Sequence, residues 1–276
     1  MRVATLSLAL LTGVALMPQM SQAKIYAYPR ANEVIVTSGR APTRTALDPS
    51  SIKILNWNMY KGTNSSWESD FLKLTSDVDI ALLQEAYLDH KMSRVFRDHP
   101  SMRLEMATSF ILASRGYVPS GTAIGSDVKM KKLGYRISEP REPVIKTPKA
   151  VTYATFPIEG TDKELLTLTI HAVNFVSSKK LMIQLEDIAK IVRAHKGPVV
   201  WAGDFNTWSK KKTRLMHELM NRLELTEAPF GPGRMKVFGR VLDYVFYKGL
   251  ELRDSYVLPD VEGADHKPMV MEFYLP

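Results

Sequence analysis

An aspartate and an asparagine two residues apart, closing an apolar run, give the first chemical signal in this 276-residue chain. The run is Val199-Val200-Trp201-Ala202, and Gly203 joins it to Asp204-Phe205-Asn206. Side chains alternate along an extended chain, so residues i and i+2 share a face. On that reading Asp204 and Asn206 point the same way from the end of a buried strand. A carboxylate that binds or orients, beside an amide that both donates and accepts, suits metal-assisted phosphate chemistry. Taken alone, Asp-x-Asn after a strand is more often a turn or a helix cap.

Other polar residues recur just past apolar runs: Asn58, Glu85, His171, Asp243, and Asp265 with His266. Each has an ordinary structural use. Asn58 suits a turn, Glu85 a helix start, and His171 a hydrogen-bonded core position. Asp243 is harder to place, because it stands within Leu242-Asp243-Tyr244-Val245. A carboxylate buried in an apolar strand costs several kcal/mol unless it is paired. His266 is the natural partner, and an Asp–His pair fixes the imidazole tautomer and raises its basicity. Lys210 and Lys211 follow the Asn206 loop and are placed to touch a phosphate backbone, while Trp208 can stack on a base, pack on a lipid or close the core. His90, His99, His195 and His217 read as structural or surface residues.

The elements that must position these groups follow from apolar periodicity. Strands are expected at Ser51–Trp57, Val78–Leu83, Leu165–Val173, from Val199, and at Val241–Tyr247, Glu251–Leu258 and Pro268–Leu275. Helices are expected over residues 66–76, over 179–195 with Ser177 or Ser178 as cap and Gly197-Pro198 as stop, and after Ser209. Residues 102–156 read as short strands broken at Gly121, Gly125 and Gly134. Residues 24–50, with Pro29, Gly39, Pro42 and Pro49, read as an extended leader lying on the domain or partly disordered. Residues 51–276 contain no repeat or linker, which argues for one domain of layered sheets with helices outside.

Composition narrows the class. The chain has no cysteine, which excludes disulfides, thiol nucleophiles and zinc–thiolate sites. A net charge of +8 favours anionic partners such as nucleic acid, phosphoesters or an anionic membrane face. Arg2, the apolar run Val3–Met17 and the small-residue pattern Ser21-Gln22-Ala23 have the layout of a signal peptide over residues 1–23, cleaved after Ala23. A secreted or periplasmic protein without a stable membrane span is therefore expected.

As an ensemble, Leu55-Asn56-Trp57-Asn58, Leu83-Gln84-Glu85, Ile170-His171-Ala172-Val173-Asn174, Gly203-Asp204-Phe205-Asn206, Leu242-Asp243-Tyr244-Val245 and Ala264-Asp265-His266 resemble the endonuclease/exonuclease/phosphatase superfamily, the DNase I-like fold. They span residues 55 to 266, nearly the whole domain. Trp57–Lys61, His171–Phe175 and Asp243–Gly249 are most similar to its bacterial YafD-like branch. Ala264 departs from the family's usual serine, which alters hydrogen bonding to Asp265. The resemblance implies an α+β fold, a four-layer α/β/β/α sandwich of two mainly antiparallel sheets whose strand ends meet in one cleft. It implies that Glu85, with Asn58, binds Mg²⁺ or Mn²⁺. Asp204 and Asn206 would align water and phosphate. His266, held by Asp243, would act as general base or charge stabiliser. His171 would contact a non-bridging oxygen or protonate the leaving group, and Asp265 would help near the metal. The expected function is metal-dependent phosphoester hydrolysis by a monomer, first as a nuclease acting on nucleic acid. A sphingomyelinase- or inositol-phosphatase-like hydrolase is the alternative, and it calls for an exposed aromatic hairpin that does not stand out in the sequence. A non-catalytic anion-binding module is disfavoured because every expected catalytic position is filled.

Overall fold

Side-chain alternation along Val199–Asp204 generates the layers. Val199 and Trp201 pack with helical residues including Leu185, Ile188 and Leu219. Val200 and Ala202 turn the other way and pack with Ile54, Leu82 and Met271 of a second sheet. Each strand with two buried faces thus joins two cores, and the computed structural model, which describes residues 25–276, has three large ones: helix on sheet, sheet on sheet, and sheet on helix. Residues 1–23, expected from sequence to be a signal peptide, lie outside the described residues.

Four helices cover the outer faces: α1 (Trp67–Thr75), α2 (His90–Arg97), α3 (Ser178–Ala194) and α4 (Lys210–Arg222). Trp67 and Phe71 of α1 and Val95 and Phe96 of α2 pack on the first sheet through Leu55, Trp57, Ala81 and Leu83. The second sheet is covered by α3 and α4. Ser177 and Ser209 cap α3 and α4 by accepting from the N–H of Lys180 and Lys212. Asp89 does the same for α2 from Met92, a helix that periodicity did not reveal because it is short.

The first sheet runs in space from Arg103–Leu112 through Val118–Ser126, Ile80–Tyr87, Ile52–Asn58 and Met269–Tyr274 to Glu251–Val257. Two strands of the leader, Tyr26–Ala27 and Ile35–Gly39, pair with Arg103–Leu112 and form its edge. The leader is therefore built into the sheet, and backbone hydrogen bonding rather than apolar periodicity holds it there. The second sheet runs Thr226–Glu227, Asp243–Lys248, Val199–Asp204, Glu164–His171, Ala150–Pro157, Lys132–Ile137. Pairing is antiparallel except where α1 joins Ile52–Asn58 to Ile80–Tyr87 and α3 joins Glu164–His171 to Val199–Asp204. This is the α/β/β/α sandwich with mainly antiparallel sheets.

The inter-sheet core includes Ile52, Ile54, Ile80, Phe156, Leu165 and Phe273, all fully buried. Each such side chain contributes roughly 1.5–3 kcal/mol by burial. A polar bridge lies in the same seam. Gln84 Nε2 donates to Asn56 Oδ1 at 2.9 Å within its own sheet and to Thr169 Oγ1 at 2.8 Å across to the other. Buried polar groups cost free energy unless bonded, so this bridge penalises any sliding of one sheet over the other. The functional residues stand directly beyond it.

Candidate active site

The second sheet supplies a row of three groups by register alone. Asp204 closes its strand opposite His171 on the parallel side and opposite Asp243 on the antiparallel side. Asp204 shares the inter-sheet face of Val200 and Ala202, and His171 that of Leu165. Gly203 is required here. Its φ is +140°, and a Cβ would collide with the Ile170 backbone, so only glycine lets the neighbouring strand approach this closely.

Asn206 corrects an expectation. The strand ends at Asp204, so extended alternation does not carry on to Asn206, which takes a left-handed φ of 49°. The Asp204 carboxylate captures the Asn206 N–H, with Oδ1 accepting at 2.9 Å, and a short polar side chain that bonds its own backbone two residues on ends the strand in a turn. Asn206 Nδ2 then donates to Ala172 O at 2.8 Å, and Asn206 Oδ1 accepts from Trp208 Nε1 at 2.9 Å.

The first sheet supplies its groups less regularly. Asn58 ends its strand, and its Nδ2 reaches across the seam to Asp204 Oδ2 at 3.4 Å. Alternation puts Leu82 and Gln84 on the inter-sheet face and would turn Glu85 away. A register shift between Leu83 and Ala86 and a left-handed φ of 54° at Glu85 turn it into the cleft instead, where it lines one cavity with Lys61, Lys149 and His171. Bulges of this kind commonly re-aim a side chain beside a site. His266 comes from the loop before Met269–Tyr274. Its backbone carbonyl accepts from Trp57 Nε1 at 3.1 Å, and its Nδ1 lies 2.7 Å from Asp243 Oδ2. Asp265 beside it is exposed at the rim.

Burial and charge set the protonation states. Burial disfavours the His266 imidazolium, but Asp243, by charge and hydrogen bond, with Asp204 and Asp265, outweighs it and pushes His266 up to about 10. Burial, reinforced by the Asp243 charge, raises Asp204 above the ordinary carboxylate range. Burial, with the charges of Lys149, His266 and Lys61, holds His171 well below the usual histidine range. His171 is thus a neutral imidazole, 3.8 Å from Asp204 Oδ2, which suits donating to an oxygen better than protonating a leaving group.

Two buried carboxylate oxygens of the site lack a hydrogen-bond donor, one on each sheet. Glu85 Oε2 and Asp243 Oδ1 are buried and accept no well-formed hydrogen bond, and hard divalent ions take such oxygen ligands. Ligand atoms of Asp204, Asp243 and His266 also lie within 4.8 Å of one another. Because His266 Nδ1 is committed to Asp243, that trio reads as a hydrogen-bonded charge pair beside a buried acid, and Glu85 with Asn58 remains the better cation position.

The rim holds residues that sequence reasoning missed. Phe175 stacks on Trp208 with ring centroids 6.0 Å apart, and Phe238 lies 6.5 Å from Trp208. Phe175 is 74% and Phe238 94% exposed. Phe238 and Gly239 form the tip of a hairpin between Lys236–Val237 and Arg240–Val241, and the two-residue X-Gly turn was its available signal. Trp208 Nε1 also donates to Asn174 Oδ1 at 2.6 Å, which locks the indole to the site. Lys210 and Lys211 are exposed on the first turn of α4.

A sequence profile of the Endonuclease/Exonuclease/phosphatase family matches residues 55–266, a stretch that begins just before Asn58 and ends on His266. The chain belongs to this family. The family's phosphoester-hydrolase fold accounts for the convergence of the two sheets. Among relatives, a UPF0294 protein of Vibrio vulnificus (strain YJ016) is 31% identical over 250 residues, covering 85% of this chain and 81% of the relative. Two solved structures share the fold. The mannosyl-6-phosphatase of Bacteroides thetaiotaomicron has a TM-score of 0.61 at 15% identity, covering 81% of this chain and 100% of that one. The endonuclease domain of TRAS1, a telomere-specific non-LTR retrotransposon, has a TM-score of 0.56 at 18% identity, covering 82% and 99%. One fold therefore carries a phosphatase and an endonuclease, and substrate must be argued from this chain's own residues.

Proposed function

We propose that the protein is a metal-dependent phosphodiesterase that cleaves nucleic acid outside the cytoplasm, acting as a monomer. The observation that carries the reading is the meeting of both sheets at Asp204, whose Oδ2 faces Asn58 Nδ2 at 3.4 Å and His171 Nε2 at 3.8 Å, next to buried oxygens that accept no hydrogen bond. Glu85, with Asn58 beside it and Asp265 at the rim, would hold Mg²⁺ or Mn²⁺, and the ion would supply Lewis-acid stabilisation of a phosphoryl oxygen. Asp204, raised towards neutrality, accepts the proton of the attacking water, since a base works best with a pKa near the working pH. Asn206, bonded to Ala172 and Trp208, holds the turn that keeps the Asp204 carboxylate in place. His266, kept charged by Asp243, stabilises the negative charge that develops on phosphorus-bound oxygen. His171 donates to a non-bridging oxygen.

Charge supports nucleic acid as the substrate. The first turn of α4 exposes Lys210 and Lys211, with Lys212 buried behind them, and carries no acidic residue. Cations at a helix N-terminus oppose its dipole at a cost of about 0.3–1 kcal/mol each, so their placement beside the Asn206 loop suits a polyanion. Trp208 and Phe175 would stack on unpaired bases. One observation favours a second reading, hydrolysis of lipid or inositol phosphoesters: the exposed aromatic hairpin at Phe238. A hydrolysis panel with Mg²⁺ or Mn²⁺ distinguishes them, using plasmid DNA, RNA, sphingomyelin, inositol phosphates and bis(4-nitrophenyl) phosphate. Nucleic-acid cleavage that is abolished by EDTA and weakens steeply with salt is expected. Preferred turnover of sphingomyelin or inositol phosphates sinks the nuclease reading, and activity indifferent to chelation sinks metal dependence. Export is tested by the mass of the secreted protein, which should lack Met1–Ala23.

A further inference from the structure

Lys61 belongs to none of the roles above, yet the backbone is distorted to place it. Tyr60, Lys61 and Gly62 take consecutive left-handed φ values of 48°, 56° and 63°, and Glu85 opposite takes 54°. A non-glycine residue in that region is strained, and such strain persists where surrounding structure enforces it. Here Gly62 is wedged against Trp67 and Met92, Lys91 Nζ donates to Gly62 O at 3.3 Å, and the Tyr60 N–H donates to Asn58 Oδ1 at 3.2 Å. The result is an ammonium 3.1 Å from Glu85 Oε2, in an orientation that leaves this buried oxygen without a well-formed hydrogen bond. Burial works against the Lys61 charge, but Glu85 more than offsets it. The contact is ionic and loosely directed, which is the kind a better cation can displace.

Lys61 also faces a cavity of about 170 Å³ that it lines with Glu85, Ser109, Ser120, Lys149 and His171. Lys149 is nearly buried there and paired with Glu142 at 3.2 Å. Once Glu85 engages a metal, this cavity would hold two ammonium groups, two hydroxyls and a neutral imidazole, a set suited to an anionic oxygen.

We propose that Lys61 is an internal cation that occupies Glu85 until a divalent metal takes the carboxylate, and that the released ammonium then joins Lys149 in binding a phosphate oxygen of the substrate. The proposal rests on the reading of Glu85 as a metal ligand and names a residue that sets metal affinity and positions substrate. Titration calorimetry of the full chain with Mn²⁺ tests it. Lys61→Met should bind Mn²⁺ on the order of tenfold more tightly, within the usual range of a coupling between two ligands of one site. The gain should vanish in a Glu85→Gln background, and Lys61→Arg, which keeps the charge, should show none. In Mn²⁺-saturated protein, inorganic phosphate should bind several-fold more weakly to Lys61→Met and to Lys149→Met than to the wild type. Unchanged or weaker Mn²⁺ binding by a folded Lys61→Met chain overturns the competition, and unchanged phosphate binding overturns the second role. Wild-type Mn²⁺ binding that survives Glu85→Gln at full affinity overturns the underlying metal assignment itself.

Discussion

In the second sheet, His171, Asp204 and Asp243 stand opposite one another in register on hydrogen-bonded strands, whereas the first sheet delivers Asn58, Glu85 and His266 through a strand end, a bulge and a loop. The register-built half is almost fully buried and owes its geometry to strand pairing. The other half depends on left-handed backbone, an ion pair and one side-chain hydrogen bond. Substitutions in the first half should therefore separate chemistry from folding only where shape is kept, while those in the second half should tune metal and charge.

The largest effect is expected from Asp204→Asn, which keeps the shape but removes the charge. Catalytic efficiency should fall by roughly 10³-fold or more, as when a group acting at the reaction centre is lost. The melting temperature should hold or rise, because the buried carboxylate is itself held at a cost. A lower melting temperature with activity retained would invert the assignment. Gly203→Ala should damage both properties at once, by several kcal/mol in chemical denaturation, since a Cβ meets the Ile170 backbone at a φ of +140°. A fully stable, fully active Gly203→Ala chain would show that close strand approach does not set the row.

Where the two halves meet, Asp243→Asn should lower kcat by roughly 10- to 100-fold, the usual cost of losing a partner that orients a functional histidine. It should also change the pH profile of stability. Folded His266 binds its proton more tightly than the unfolded chain does, so its contribution is complete below about 6.5 and is lost as pH rises to about 10. Wild-type melting temperatures should fall over that window, and those of Asp243→Asn should fall less. Equal slopes would mean that the Asp243–His266 pair is not what holds the proton. Smallest is Phe238→Ala at the hairpin tip: no change in stability, and a several-fold rise in KM on whichever substrate the rim contacts. Unchanged KM on every substrate tested would leave the rim without a part in binding.

The site residues of both halves were legible in sequence, but only the register-built half showed how they are positioned. An apolar run followed by Asp, Asn or His reads as a strand end, and Asp243 inside such a run demanded a partner that His266 supplies at 2.7 Å. Layered sheets with helices outside followed from the apolar strands and interspersed helices, and the α/β/β/α order from the family resemblance. What escaped depends on backbone states that alternation cannot encode. The bulge that turns Glu85 into the cleft, the left-handed turn at Asn206 and the strained Tyr60–Gly62 segment have no periodic signature. Phe175 and Phe238 escaped because an exposed aromatic resembles a core residue until its surroundings are known. The leader's edge strands escaped because they are short, and backbone pairing rather than apolar alternation holds them.

The strand that carries Asn58 pairs with Met269–Tyr274, the last strand of the chain, and His266 enters just before it. A chain still emerging from a ribosome has neither until its synthesis passes them. A chain interrupted before residue 266 lacks both the histidine and the strand that pairs with Ile52–Asn58. Pairing between chain ends is also slow to form, so recovery of activity after dilution from denaturant should lag behind recovery of secondary structure. The connectivity makes assembly of the site a late event of folding, because Asn58 and His266 come together only once strands distant in sequence have paired.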